Sequence, residues 1–211
     1  MNPDPLAAHL LVKRYGDFAL TDAVRPALGV PVRPREGYRV EVYRDRASRL
    51  RLPTLTASVS AEKLFDVFLE LLAPLGETVH VVLESSHGNH SDDHTDLRRN
   101  HIDRAVLESY FCDFEELLLN DGCTGVAVMA ARRPLEVQFD EHKQFTIYAP
   151  DLKPFRKVLR ANGVRRRKLL PLMSEGEHLH HSTGDQAEQF RQFAVRVGVG
   201  DFDKVFSDES F

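Results

Sequence analysis

Cysteine is scarce in this sequence, and its scarcity excludes two kinds of protein. The 211 residues include only Cys112 and Cys123. A disulfide-dense secreted scaffold depends on more cysteines than this, and a zinc site built from thiolates alone needs about four of them. We therefore expect both cysteines to be reduced, as they are in the cytoplasm.

Long hydrophobic runs are missing as well. No stretch approaches the roughly 18 consecutive apolar residues of a membrane-spanning helix. Residues 1–17 have no basic segment ahead of their short apolar run, which a signal peptide would have. The sequence therefore predicts a cytoplasmic protein without a membrane span.

Neither sign of charge dominates the composition. The chain has 28 basic and 32 acidic residues and a net charge of −4, so we expect no nucleic-acid binding by the chain as a whole. One basic run could still bind phosphate or a nucleic-acid backbone. The same run could instead be the charged edge of a sheet, where cations prevent association between strands. The run consists of Arg165, Arg166, Arg167 and Lys168.

Motifs that hold cofactors or activate nucleophiles are absent too. The sequence has no Gly-x-x-x-x-Gly-Lys, no Gly-x-Gly-x-x-Gly, no Gly-x-Ser-x-Gly and no His-Glu-x-x-His. This absence favours a non-catalytic binding or regulatory protein that could form homo-oligomers. An acidic tail at residues 200–211 includes Phe202, Phe206 and Phe211, which favour docking onto the tail's own domain or a dimer contact.

The sequence does contain alternating strand and helix patterns. Residues 38–44 and 49–55 alternate apolar and polar side chains, as half-buried strands do. Residues 60–76 have apolar side chains at helical spacing, between a capping serine and a terminating glycine. These patterns predict one α+β domain over residues 1–211, with a mainly antiparallel sheet and helices packed against it.

Two stretches of the chain follow the same order of elements. VEVYRDRASRLRL leads to a helix ending LAPLG and then to TVHVVLESSHGNH, while LEVQFDEHKQFTI leads to a helix ending LRANG and then to KLLPLMSEGEHLHH. The pattern predicts an internal ββαβ duplication, with units at about residues 38–90 and 125–181. It also predicts a final strand at residues 168–173 and a long helix at about 101–120 that joins the units.

A His-containing polar loop follows each predicted unit, loop one at residues 84–101 and loop two at residues 175–181. Imidazole and carboxylate groups suit zinc, manganese and iron, so the loops could hold a divalent metal ion. The candidate ligands are His87, His90, Asp92 and His94 in loop one and Glu177, His178 and His180 in loop two. The last two histidines alternate as on a strand, which would turn both imidazoles to the same side.

These loops support an alternative function, that of a metal-dependent enzyme of hydrolase type. Asp92 or Glu177 would then be a ligand or the general base. Two other interpretations compete with this one. Polar loops collect His and Asp because these residues solvate turns well, and clustered imidazoles could also sense pH.

Overall fold

The computed structural model of the protein describes residues 5–44, 51–88 and 94–199. Its helices are α1 (Pro5–Leu10), α2 (Ala61–Leu72), α3 (Arg104–Asp113), α4 (Glu115–Asn120), α5 (Lys153–Ala161) and α6 (Gly184–Val197). Its strands are β1 (Arg14–Tyr15), β2 (Phe18–Ala19), β3 (Val24–Pro26), β4 (Gly37–Arg44), β5 (Arg51–Ser58), β6 (Thr78–Ser85), β7 (Thr95–Asp103), β8 (Thr124–Ala130), β9 (Glu136–Phe139), β10 (Gln144–Tyr148) and β11 (His178–His180). Each helix in these ranges is too short or too polar to cross a bilayer. The acidic tail and its predicted docking contact lie outside the described residues.

Seven of the strands form one antiparallel sheet in the order β4-β5-β10-β9-β8-β6-β7. Successive side chains in a strand point to opposite faces, so the buried residues alternate, as Val79, Val81 and Leu83 do on β6. Residues from α2 to α6 and from the sheet form one hydrophobic core. The predicted α+β class with a mainly antiparallel sheet is confirmed.

Phe68 on α2 lies at the centre of this core. Its ring centroid is 5.1 Å from that of Phe111, 5.0 Å from that of Phe139 and 6.1 Å from that of Phe145. These partners come from α3, β9 and β10, so one side chain joins two helices to the middle of the sheet. Full burial of a phenylalanine side chain stabilises the folded state by roughly 1.5–3 kcal/mol.

The long helix predicted at about residues 101–120 starts too early. Residues up to Asp103 belong to β7, an edge strand whose only partner within the described ranges is β6. Of the side chains on β7, those of Leu97 and Ile102 are buried and most of the others face solvent. An edge strand with so little buried surface has a polar sequence, which is why its residues were predicted to belong to loop one.

The helical segment after β7 is also divided in two. α3 follows Asp103, whose carboxylate accepts hydrogen bonds from the backbone N–H groups of Ala105 and Val106. At Phe114 the backbone leaves helical values, with φ at −119° and ψ at 25°, and α4 begins as a separate helix. The prediction of one continuous helix is therefore wrong.

The first predicted unit contains all four of its predicted elements, whereas the second lacks its final strand. In the first, β4 and β5 pair, α2 follows and β6 completes the unit, whereas in the second β9 and β10 pair and α5 follows. The strand predicted at residues 168–173 does not form. Sheet pairing in that region is limited to a parallel bridge between Arg166 and Tyr38 on β4. Pro171 lacks the N–H group that a ladder needs, so extension of this bridge into a strand is disfavoured.

One end of the sheet brings several loops together. β6 and β9 end there, and β8 and β10 begin there, because neighbouring strands are antiparallel. A two-stranded ribbon of β3 and β11 lies against this end. The N–H of Gly122, just before β8, donates to the carbonyl of His181 at 2.8 Å, and the N–H of His181 donates to the carbonyl of Ala23 at 2.8 Å. The ribbon therefore holds loop two beside the turn that precedes β8.

Candidate metal centre

Three imidazoles converge at this end of the sheet. His142 comes from the turn between β9 and β10, while His178 and His180 come from β11. The ring centroids are 4.7 Å apart for His142 and His178, 5.0 Å for His142 and His180, and 4.8 Å for His178 and His180. One nitrogen from each ring lies within 4.8 Å of the other two. We call these residues the tri-histidine group.

Strand geometry places the two histidines of β11 side by side. His178 pairs with Pro26 and His180 with Val24 on β3, so both belong to a regular antiparallel ribbon. Residues two apart on a strand point to the same side, as the sequence pattern predicted for this pair. Leu179 between them pairs with Arg25 and points to the opposite side.

A strained turn supplies the third imidazole. The Asp140 carboxylate accepts a hydrogen bond from the backbone N–H of Gln144 at 2.9 Å, and the Asp140 carbonyl accepts one from the backbone N–H of Lys143 at 2.9 Å. These bonds close the turn with Lys143 at a φ of 59°, a left-handed conformation that is uncommon outside glycine. Such strain persists only where the surrounding structure holds it, and it is concentrated at functional sites.

The outer nitrogens of the three rings all face acceptors. His178 Nδ1 donates to the carbonyl of Gly176 at 2.7 Å, and His180 Nδ1 donates to the carbonyl of Gly122 at 2.5 Å. His142 Nδ1 lies 3.4 Å from a carboxylate oxygen of Asp140, in a long ionic contact. A carbonyl cannot donate, so the Nδ1 atoms of the two β11 histidines must carry their protons, and their Nε2 atoms carry lone pairs.

His142 faces a lone pair at one nitrogen of its ring and a carboxylate at the other. His142 Nε2 lies 3.1 Å from His178 Nε2, which carries a lone pair. A neutral His142 can place its single proton towards this lone pair or towards Asp140, and the other neighbour is then unsatisfied. Burial opposes protonation of His142, but the carboxylates of Asp140 and Glu141 together outweigh it and raise the pKa of His142. Burial and the two neighbouring imidazoles lower the pKa of His180.

A second group of side chains lies close by. His87, just after β6, places Nε2 2.9 Å from a carboxylate oxygen of Asp121, and Cys123 completes a set whose ligand atoms lie within 4.8 Å of one another. Burial opposes ionisation of Asp121, but donors including His87 and Thr124 outweigh it and lower the pKa of this carboxyl. Burial raises the pKa of the Cys123 thiol. We call these three residues the His-Asp-Cys group.

The peptide of Gly122 connects the two groups. Its carbonyl accepts the Nδ1–H of His180, and its neighbours in the chain are Asp121 and Cys123. Lys143 lies nearby, fully buried, and donates to the carbonyl of Thr124 at 2.8 Å. Burial lowers the pKa of Lys143 to about 8, although the surrounding carboxylates oppose this shift.

The residues predicted as ligands from sequence fall into three sets. His178 and His180 belong to the tri-histidine group and His87 to the His-Asp-Cys group. His94 and Glu177 are exposed and join neither group. His90 and Asp92 lie outside the described residues.

Sequence reasoning missed the other members of these groups. His142 lies in a hairpin turn with a composition typical of solvated loops, and Asp121 and Cys123 lie in a turn that ends a helix. Local patterns gave no sign that β11 would be packed against both turns. The one usable signal was the His-x-His spacing of β11, because it indicated that two imidazoles could point to the same side.

The basic run predicted as a phosphate or nucleic-acid site lies apart from both groups in the described structure. Arg165, Arg166, Arg167 and Lys168 are exposed. The backbone of this segment pairs with Tyr38 at the edge of the sheet, and Arg167 Nε donates to the carbonyl of Glu36 at 2.6 Å. This position is the one expected for a charged sheet edge.

The three rings of the tri-histidine group differ in exposure. His180 is exposed and lines a surface cleft with Lys13 and Arg25, whereas the side chain of His142 is 17% exposed. Solvent therefore reaches the group at His180, while His142 is largely enclosed. Comparison of the chain with models of known protein families, with curated proteins and with solved structures gives no match.

Proposed function

We propose that the protein binds a divalent transition-metal ion through Nε2 of His142, His178 and His180. The observation that carries the proposal is the convergence of three inner nitrogens whose outer nitrogens face acceptors. A second proton on His142 could bridge two of these nitrogens, whereas a metal ion satisfies all three. Histidines that bind metals commonly direct their other nitrogen to a carbonyl or carboxylate, as these do.

Zinc fits this set of ligands best. Tetrahedral zinc with bonds of about 2.0–2.1 Å holds its nitrogen ligands about 3.3 Å apart. The Nε2 atoms of His142 and His178 are already 3.1 Å apart. Manganese prefers oxygen ligands, so an all-imidazole set favours zinc or iron among the metals predicted from the sequence.

A hydrolytic reaction is the use of the metal that the surroundings favour. Zinc held by three protein ligands keeps one position for water or substrate, and it can activate water near neutral pH. His180 lines an open cleft, and the carboxylate of Glu141 acts electrostatically on both His142 and His180. Glu141 is thus a candidate general base. The non-catalytic binding or regulatory role predicted from the sequence is the second candidate.

The metal content of purified protein tests the first step. Untagged protein prepared without chelator should contain zinc, and His142→Ala and His178→Ala should each contain one zinc ion fewer per chain. His94→Ala is the matched control, because His94 is an exposed loop-one histidine outside the tri-histidine group. Equal zinc in the wild type and in both ligand variants would overturn the proposal.

Turnover separates the two candidate functions. Zinc-loaded wild type should hydrolyse at least one member of a panel of activated esters and phosphoesters, and His178→Ala should lose that activity. Zinc binding without turnover of any panel member would favour the non-catalytic role. Glu141→Gln should lose turnover while it retains zinc, since its carboxylate is proposed as the base and not as a ligand.

We also infer that the two hairpin–helix units arose by duplication. The central order β4-β5-β10-β9 places the hairpins symmetrically about the β5–β10 pair, and each hairpin is followed by a helix. The helices α2 and α5 contact each other. This inference concerns the scaffold alone, because His87 and His142 occupy different positions in the two units.

A further inference from the structure

The His-Asp-Cys group has features that a buried ion pair does not explain. The side chain of His87 is 9% exposed and that of Asp121 is 0% exposed. His87 Nε2 lies 2.9 Å from the Asp121 carboxylate, yet it is buried without a hydrogen bond of normal geometry. A buried nitrogen whose hydrogen bond is poorly formed is stabilised less than a well-bonded one, so this position can accept a further group.

A second buried atom points to the same place. The buried hydroxyl of Ser182 lies beside Asp121 and Cys123, and its contacts with them also fall short of normal hydrogen-bond geometry. Two buried polar atoms with poorly formed contacts, at residues 87 and 182, therefore border one cluster of ligand types. A cation at the centre of the cluster would bind both atoms and neutralise the Asp121 carboxylate.

We propose that His87 Nε2, a carboxylate oxygen of Asp121 and Sγ of Cys123 bind a second divalent metal ion of the zinc type. The Ser182 hydroxyl or a water would be the fourth ligand. His87 Nδ1 is hydrogen-bonded to Ser85 Oγ at 2.7 Å, so Nδ1 can donate there and leave a lone pair on Nε2. Binding converts the Cys123 thiol to a thiolate and releases its proton to solvent.

The two sites differ in both chemistry and access. The tri-histidine group offers nitrogen ligands and includes the exposed His180, whereas the His-Asp-Cys group offers mixed ligands and is enclosed around Asp121. Structural zinc sites are closed, and catalytic ones keep an open position. The second ion would therefore hold the end of β6 to the turn before β8. That turn also positions His180 through the Gly122 carbonyl.

Cobalt(II) distinguishes the sites because only a thiolate ligand gives an intense near-ultraviolet charge-transfer band. Titration of metal-free, fully reduced protein with cobalt should produce this band in the wild type. Cys123→Ser should abolish the band and reduce cobalt binding by one ion per chain. Cys112→Ser is the matched control and should retain the full band, since Cys112 is exposed on α3, outside the His-Asp-Cys group.

Further variants keep the outcome decisive if Cys123→Ser does not fold. His87→Gln should weaken the band at limiting cobalt, while His178→Ala should retain the band and lose the other ion. The second site stands even if the tri-histidine group binds nothing, because the band reports Cys123 alone. Absence of the band in folded wild type saturated with cobalt would overturn the proposal. Persistence of the band in folded Cys123→Ser would also overturn the proposal.

Discussion

Glu84 shows how the environment of a single residue at this end of the sheet sets its charge. Its carboxylate is partly buried on β6, and the acids nearby include Asp96 and Asp140. Burial is the larger cause and the neighbouring charges the smaller one, and together they raise the pKa of Glu84 to about 7. The folded state therefore retains a proton that the unfolded chain loses at lower pH.

The Glu84 pKa predicts how stability changes with pH. As pH rises from about 4.5 to about 7, the folded state holds more protons than the unfolded state, so the free energy of unfolding falls. Glu84→Gln removes this fall in the free energy of unfolding. The variant should be more stable than wild type by about 1–2 kcal/mol at pH 8, after allowance for solvent screening. At about pH 4 the two proteins should differ little. Urea unfolding at both pH values measures the effect.

A matched substitution separates this effect from general removal of negative charge. Asp66 is exposed on α2, so Asp66→Asn should not reproduce the stabilisation of Glu84→Gln at pH 8. If Glu84→Gln is no more stable than wild type at pH 8, burial does not raise the pKa of Glu84 as described.

Residue patterns predicted only part of the candidate site. The spacing of His178 and His180 correctly indicated two imidazoles on one side of a strand, because that relation depends on neighbouring residues alone. His142 could not be found in this way, since its partners are more than thirty residues away in sequence. The same reason hides Asp121, which resembles any acidic residue at the end of a helix.

At the scale of elements, the turn before β8 holds the two metal-binding groups in place. A Cβ atom on Gly122 would lie 2.3 Å from the Ala23 carbonyl oxygen and 2.8 Å from the His181 carbonyl oxygen. These are backbone atoms of the chain segments that flank the β3–β11 ribbon, so they cannot move aside as a flexible side chain would. Glycine at this position allows the ribbon to lie directly against the turn.

The substitution Gly122→Ala tests this close approach. We expect it to lower the free energy of unfolding by about 1–3 kcal/mol, because overpacking forces the backbone apart. It should also weaken zinc binding, since the Gly122 carbonyl orients His180. Chemical unfolding and zinc titration measure the two effects.

Gly184→Ala is the control for Gly122→Ala. No heavy atom lies within 4 Å of the corresponding Cβ position, so this variant should be as stable as wild type and bind zinc equally well. Wild-type behaviour in Gly122→Ala would show that the ribbon is not packed against the turn as closely as described.

Elements with buried apolar faces were predicted best. The patterns of α2 and the β9–β10 hairpin follow directly from burial, so their positions agree with the prediction to within a few residues. β7 was missed because an exposed edge strand has no apolar alternation for a pattern to detect. The ribbon was missed because three-residue strands depend on tertiary contacts for their existence.

At the scale of the whole molecule, the two proposed metal ions would join segments that are far apart in the chain. The ligands come from residues 87, 121–123, 142 and 178–180, and these segments meet only in the folded state. A ligand that binds the folded state alone adds stability of RT ln(1 + [L]/Kd), which is about 2.7 kcal/mol when its concentration is 100 times Kd. Zinc should therefore raise the melting temperature of the wild type.

The thermal shift should divide between the two groups. His142→Ala and His87→Gln should each retain part of the zinc-dependent increase, and the double variant should retain none, because each group binds through its own ligands. Magnesium should give no increase in any of these proteins, since it prefers oxygen ligands in octahedral geometry. A full zinc-dependent increase in the double variant would place the stabilising ion at some other site on the protein. If one single variant loses the whole increase and the other keeps it, the group altered in the first variant holds the stabilising ion, since the two groups share no ligand.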